Sequence, residues 1–372
     1  MFPEPHSCCS LALLALFPSP PTRPHRMRLS VTLTFACVLS AAPLVAQEGG
    51  RGLVPVSNNA VAAGRVGGDW WVFTALGVDS TRRWSGITRR AAAWSSATRE
   101  WRALPDVPGD QGRLAATAQV VRGRWFIFGG YTVDSLGGER SLPSVDVFDP
   151  RTGRWSRGRD IPVPVDDAVS GVYRDSLVYL VSGWHDTDNV QDVQVYDAVL
   201  DAWSVGTPIP GPGVFGHSGE LAGATIVYVD GAVRQSGDVK YRLHSQVWIG
   251  TINSARPTEI AWRAGPAHPG PSLYRAAVGR CGGRIIFAGG TGNPYNYNGI
   301  GYDGQPSSPL ATVLAFETRT SRWQALPPMP VATMDHRALA VVGDTGWVVG
   351  GMRAGQRVSG TMVPVALSDC RS

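Results

Sequence analysis

Short apolar runs recur along the chain, most of them closing on glycine: W-W-V-F-T-A at 70–75, W-F-I-F-G-G at 125–130, L-V-Y-L-V-S-G at 177–183, I-V-Y-V-D-G at 226–231, I-I-F-A-G-G at 285–290 and W-V-V-G-G at 347–351. Behind each follows a segment of the V-D-V-F-D type, at 91–95, 145–149, 193–197, 246–250, 313–317 and 361–366. Alternation of apolar and polar positions marks a strand with one face in a core. A Trp then opens a further segment at Trp101, Trp155, Trp203, Trp262 and Trp323, and a run of small residues such as R-L-A-A-T-A-Q-V-V leads into the glycine-ended run. Four strands thus repeat six times at a spacing of roughly 50 to 60 residues, the period of a propeller blade. The expected fold is all-β: a six-bladed β-propeller of four-stranded blades, with strands a to d running from the axis outward.

The sixth unit stops after its third strand, near Leu367, whereas Leu53-Val-Pro-Val-Ser57 precedes the first unit and matches the fourth-strand pattern. Pairing that N-terminal strand with the last blade would close the ring and leave no open edge. Small residues in strand a suit the crowded axis, and the Trp side chains read as wedges between blades. Cys281 falls in the a–b turn of blade 5 and Cys370 behind strand c of blade 6, on the same face. A disulfide between adjacent blades is one reading of that placement; two unpaired thiols are the other.

Composition changes the picture mainly at the N-terminus. With 372 residues, 43% hydrophobic, 45 Gly and 28 Pro, the chain suits a large all-β core. Residues 27–46 have the basic start, apolar run and small-residue end of a secretory signal peptide. The run is too short for a comfortable membrane span. Residues 1–46 are therefore expected to be a leader, with Met27 as the true start, and residues 47–372 a single propeller exported to the periplasm or beyond. Losing the leader removes Cys8, Cys9 and Cys37 and leaves Cys281 and Cys370, an even pair for an oxidising compartment. It also takes the formal charge from +5 to about +3, because Arg23, Arg26, Arg28 and Glu4 go with it. The basic residues are nearly all Arg and form no run, so neither a nucleic acid nor membrane insertion is indicated. No H-E-x-x-H, paired C-x-x-C, P-loop or G-x-S-x-G signature occurs, and Val190 and Gln191 spoil a calcium-loop reading of the preceding acidic stretch. No metal and no cofactor are expected, and the protein is expected to be a monomer.

The G-G, V-x-V-F-D and W-x-x-L-P-x-x-P units over residues 50–367 resemble kelch repeats, which imply a propeller and leave function open. A finer resemblance rests on the leading L-V-P-V-S strand, the six units, the export signal and the insertion T-G-N-P-Y-N-Y-N-G-I-G-Y-D-G-Q-P behind F-A-G-G at 287–290. These are similar to bacterial N-acetylneuraminate epimerases (sialic acid mutarotases) and their cyclically permuted relatives. That resemblance implies a Glu base just after the blade 4 glycine motif and an Arg further along the loop. Here the Glu position is Ala232, which accepts no proton, while Arg242, or alternatively Arg234, matches the Arg.

In a propeller the d–a connections and b–c loops share one face, over the channel. On the repeat register Asn59, Arg113, Asp167, His217, Tyr274, Arg275, Asp335, His336 and Arg337 ring the mouth, joined by Arg242, Tyr295 and Tyr297 from the b–c loops. Arg suits a carboxylate, and Tyr offers an apolar face to a sugar ring. The expectation is a small polar, anionic carbohydrate ligand at the mouth. One alternative is an epimerase or mutarotase that uses His336, Asp335 or Asp167 in place of the absent Glu, with Asp335 and His336 as an acid/base pair. Another is a scaffold that binds a protein partner through the same face. The Arg and Asp side chains could instead simply pair with one another. The insertion at 291–309 is long enough for a lid or binding loop, with a plain surface excursion as the alternative.

Overall fold

The computed structural model describes residues 52–370, so the leader and the start at Met27 lie outside the described residues. The architecture is the expected all-β propeller: five sheets of four strands and one of three, each laid out in sequence order from the axis. Blade 1 comprises Ala60–Val66, Asp69–Ala75, Ala91–Ser95 and Trp101–Leu104. Blade 2 comprises Thr117–Val121, Arg124–Phe128, Val145–Asp149 and Arg154–Arg157. Blade 3 comprises Val169–Tyr173, Leu177–Val181, Val193–Asp197 and Ala202–Gly206. Blade 4 comprises Ser218–Ala222, Thr225–Val229, Val247–Ile252 and Ile260–Ala264. Blade 5 comprises Ala277–Cys281, Arg284–Ala288, Val313–Glu317 and Arg322–Leu326. Among the described residues, blade 6 has only Ala340–Val342, Thr345–Val349 and Met362–Ala366.

Strand b is apolar on both faces because each face meets a neighbouring blade. Phe73 of blade 1 stacks on Trp125 of blade 2 at 5.1 Å, and Phe128 of blade 2 meets Trp203 of blade 3 edge-on at 6.1 Å. The core is therefore a set of seams between sheets. The outer Trp residues serve these seams twice. Their rings pack inward, and each indole N–H donates to a carbonyl just beyond strand d of the preceding blade: Trp155 to Pro105 at 2.9 Å, Trp203 to Arg159 at 2.9 Å, Trp262 to Thr207 at 3.1 Å and Trp323 to Pro266 at 2.8 Å. Trp101 follows a blade without strand d, and its indole nitrogen has no partner among the described residues.

That missing strand marks a difference from the expectation. Residues 53–57 do not form a ladder strand on blade 6. They run beside it, with Val56 N–H donating to Ser359 O at 3.1 Å and Val56 O accepting from Gly351 N–H at 2.9 Å. Leu53 is buried against Trp101 and Met362. Pro55 has no N–H, so a regular ladder through this segment is interrupted at its centre. On the a–b turn face, Cys281 and Cys370 are joined by a disulfide, their Cα atoms 4.2 Å apart.

Candidate functional site

Each blade enters the channel through one residue with positive φ just before strand a. These are Asn58 (58°), Ala115 (55°), Asp167 (52°), Gly216 (61°), Arg275 (51°) and Asp335 (73°). Their backbones link blade to blade. Asp167 N–H donates to Ala115 O at 3.0 Å, Gly216 N–H to Asp167 O at 3.3 Å, Arg275 N–H to Gly216 O at 2.8 Å and Asn58 N–H to Asp335 O at 3.3 Å. Between blades 5 and 6 the donor is His336 N–H, to Arg275 O at 3.0 Å, and between blades 1 and 2 the Asn58 side chain accepts from Ala115 N–H at 2.7 Å. Gly216 is required on two counts: the left-handed backbone, and the Tyr274 ring lying where a Cβ would be.

Inside this ring the charges meet one another. Arg275 of blade 5 reaches Asp167 of blade 3 at 2.6 Å and Asp335 of blade 6 at 3.1 Å. Arg337 of blade 6 reaches the same Asp167 across the channel at 2.5 Å and the Asn58 side chain at 2.7 Å. Ser57 donates to Asp335 at 2.6 Å. All four charged side chains are at least 95% buried. Burial pushes the Asp167 carboxyl up, but Arg275 and Arg337 outweigh it and hold the group below its ordinary value. Neighbouring Asp166 goes the other way, raised well above the usual range by burial and then by Asp167, with Ser141 as its hydrogen-bond donor at 2.6 Å.

Several expected mouth residues therefore lie elsewhere. Arg113 turns back to strand c of its own blade and pairs with Asp146 at 2.5 Å. Asn59 and His217 each sit one position past the inward residue, which aims them into the seam with the preceding blade. Asn59 donates to Val349 O of blade 6 at 3.4 Å as well as to Thr74 Oγ1 of its own blade at 2.7 Å, and His217 Nε2 lies 2.9 Å from Val181 O of blade 3. Asp335 and His336 do not bond as an acid/base pair. His336 Nε2 lies 3.0 Å from Thr333 Oγ1, while Asp335 is taken by Arg275 and Ser57. Burial lowers His217 to about 4 and His336 to about 3, so both rings are neutral at pH 7. Ala232 is buried on a small hairpin, Ala232–Arg234 with Tyr241–Leu243, and Arg242 on the same hairpin is exposed.

The blade 5 insertion covers the cluster. Tyr295 is fully buried 5.2 Å from Tyr274, and both rings flank the Arg275 guanidinium, at 5.2 and 4.9 Å. Tyr297 packs with Val78, Leu114 and Tyr131 of blades 1 and 2. Asn298 O accepts from Arg82 at 2.8 Å and Ser307 O from Gln356 at 2.8 Å, tying the loop to blades 1 and 6. Above it stands a crown of b–c hairpins. Trp184, Tyr241 and Tyr302, from blades 3, 4 and 5, are half-buried, with Trp184–Tyr241 and Tyr241–Tyr302 centroids 5.5 and 4.5 Å apart. The phenols of Tyr241 and Tyr297 are raised, first by desolvation and then by the charge of Glu139, which sits on the blade 2 b–c hairpin whose Ser141 Oγ lies 3.4 Å from Trp184 O. Glu139 and Asp146 are not among the residues that the sequence marked for the site, whereas Trp184 lies on a b–c loop that the repeat register places at the mouth. Glu139 sits within a b–c connection with no repeat-based signal.

A kelch motif matches residues 112–162, which span blade 2. The kelch-like protein terF of Aspergillus terreus is 31% identical over 129 residues, 34% of this chain and 27% of that protein. Kelch-like protein 15 of Danio rerio is 24% identical over 61% of this chain and 37% of that protein. The chain thus spans between 27 and 37% of these relatives' own length. Among solved structures, YjhT superposes with a TM-score of 0.69 at 17% identity, over 85% of this chain and 96% of that one. At that identity the likeness concerns the fold.

Proposed function

We propose that the chain is an exported recognition module that binds a small polar ligand of carbohydrate type on its loop face, without turnover. The observation that carries this reading is the crown: Trp184, Tyr241 and Tyr302 are half-buried with ring centroids 5.5 and 4.5 Å apart, beside the blade 2 hairpin that carries the exposed Glu139. Aromatic faces cover the apolar faces of sugar rings, and phenol and carboxylate groups take the hydroxyls. The buried Arg–Asp cluster is satisfied by itself, so any preference for an anionic sugar rests on the exposed Arg140, Arg234 and Arg242 at the crown's edge. The same self-pairing supports binding over epimerisation, because Asp167 and Asp335 are held by guanidinium groups and His336 is neutral and turned away. Export rests on the leader sequence at 27–46.

Saturation-transfer NMR against neutral sugars, uronic acids and sialic acid is expected to find a binder. Trp184→Ala and Tyr241→Ala should each weaken it about tenfold, equivalent to ~1.4 kcal/mol. A panel without a binder, or binding untouched by both substitutions, overturns the reading. Exchange at an anomeric centre above the buffer rate would replace it with the epimerase alternative. N-terminal sequencing of secreted material tests export.

One observation favours a protein partner on the same face. Trp84, Leu136 and Val239, on the b–c connections of blades 1, 2 and 4, are 46, 95 and 36% exposed. Leu136→Asp would abolish such an association and leave sugar binding intact.

A further inference from the structure

The end of the channel opposite the loop face is open. The ion-pair cluster fills the loop end, and the rest is a cup of about 1070 Å³ that opens among the a–b turns. The residue four places beyond each inward-facing position lies on its axial strand, or for Leu339 immediately before it: Ala62, Gln119, Gly171, Glu220, Gly279 and Leu339. All but Gly171 line the cup, and Glu220 is the sole ionisable group of that layer. Its Oε1 accepts the neighbouring Leu221 N–H at 2.7 Å. On the adjacent blade Arg280 lines the same cup and is exposed, and it forms no ion pair among the described residues. Arg280 is near enough to act on Glu220, yet the two are more than the 4.0 Å of an ion pair apart. A half-buried carboxylate without a cation at contact distance is costly. The remaining charges facing the cup are Arg65, Arg174, Asp175 and Asp344 at the turn rim. Asp175 and Asp344 are already capped by the backbone N–H groups of Arg122 and Cys370, at 2.8 and 3.2 Å.

We propose that this cup is a second binding site, for a small zwitterion of the α-amino acid class. Its ammonium group pairs with Glu220 and its carboxylate with Arg280. A lone anion would leave Glu220 unpaired, and a lone cation would face Arg280. A molecule carrying both charges satisfies both side chains at once, in a cavity of the size that holds small ligands.

The test is titration calorimetry of the full chain with α-amino acids from glycine to tryptophan. Each is paired with the carboxylic acid lacking its amino group and the amine lacking its carboxylate. At least one amino acid should bind while its two truncated partners bind at least tenfold more weakly. Glu220→Gln keeps an acceptor for Leu221 N–H, and it should weaken the amino acid about tenfold without affecting the carboxylic acid. Arg280→Gln should weaken the amino acid and the carboxylic acid alike. Melting curves of both variants confirm that they fold. If no amino acid binds more tightly than about 10 mM, or if a carboxylic acid or amine binds as well as the amino acid, the proposal is overturned. Sugar binding at the crown is measured on the same samples, so the two sites succeed or fail separately.

Discussion

Asp167 is the hinge of the buried charge network, because both guanidinium groups close on it. Replacing it with Asn would leave Arg275 with only Asp335 and Arg337 with no carboxylate at all. Removing one partner of a buried pair typically costs about 3–5 kcal/mol, so Asp167→Asn should shift the urea midpoint by an amount of that order. A loss below about 1 kcal/mol would place the pair in the weak class of exposed bridges. Glu220 gives a pH signature. Burial raises its carboxyl to about 7, above the unfolded value of about 4.3. Between those values the folded chain holds more protons than the unfolded one, so stability falls as pH rises from 4 to 7 and is level above. Glu220→Gln should flatten that limb by about 1–3 kcal/mol, read from urea midpoints across the range; an unchanged slope would mean that the group titrates normally. At this scale the sequence was only partly readable. One left-handed residue per blade decides which side chain of D-D-A, F-G-H or M-D-H faces the axis, and hydrophobic pattern does not mark it. The hint was chemical: four of the six positions are Asn, Asp or Gly, the residues that tolerate positive φ. Reading that hint would have moved Asn59, His217 and His336 into the seams. It would also have exposed Glu220 as a lone charge in an otherwise uncharged layer.

Strands a, b and c were readable because alternation and terminal glycines repeat in every blade, and the register follows from them. The outer strand was readable through its Trp, but the reason for the Trp was not. It binds the end of the preceding blade's outer strand, a relation between segments about 50 residues apart. The repeat makes a comparative prediction. Trp155→Phe, Trp203→Phe and Trp323→Phe each lose packing and one hydrogen bond, whereas Trp101→Phe loses packing alone. The first three should be destabilised by about 1 kcal/mol more than Trp101→Phe, measured by thermal or urea unfolding. Equal losses across the four would show that the indole N–H groups contribute nothing net. The disulfide is a second element-scale tie, closing a separation of 89 residues between blades 5 and 6. Cys281→Ser should cost about 2–4 kcal/mol, and reductant should lower the melting temperature of the parent but not of the variant. The blade 5 insertion was readable as unusual in length. Its place over the cluster was not, since Tyr295, Tyr297 and Tyr302 find partners on five other blades rather than on their own neighbours in sequence.

A ring of sheets is as strong as its weakest seam, and here that is the one between the last blade and the first. Five seams have an outer strand on the preceding blade; this one has the irregular segment 53–57 instead. The segment nevertheless holds both sides. Leu53 is buried in one apolar cluster with Trp101 and Met362, Val56 bonds Ser359 and Gly351, and Ser57 bonds Asp335 on one side and Val78 on the other. Removing it would uncover Trp101 and leave Asp335 short of one donor. The axial strand of blade 1 would also lose its lead into the ring. Because every blade's core is shared with its neighbours, opening one seam weakens the two blades beside it, and the loss spreads round the ring. Deleting residues 53–57 should therefore lower the melting temperature in a single cooperative step, with near-UV signals of Trp101 and of the distant Trp203 lost together. Two separated transitions, or a deletion that melts like the parent, would mean that five complete blades stand without the closing segment. The predicted ladder strand would then be dispensable in function as well as irregular in form.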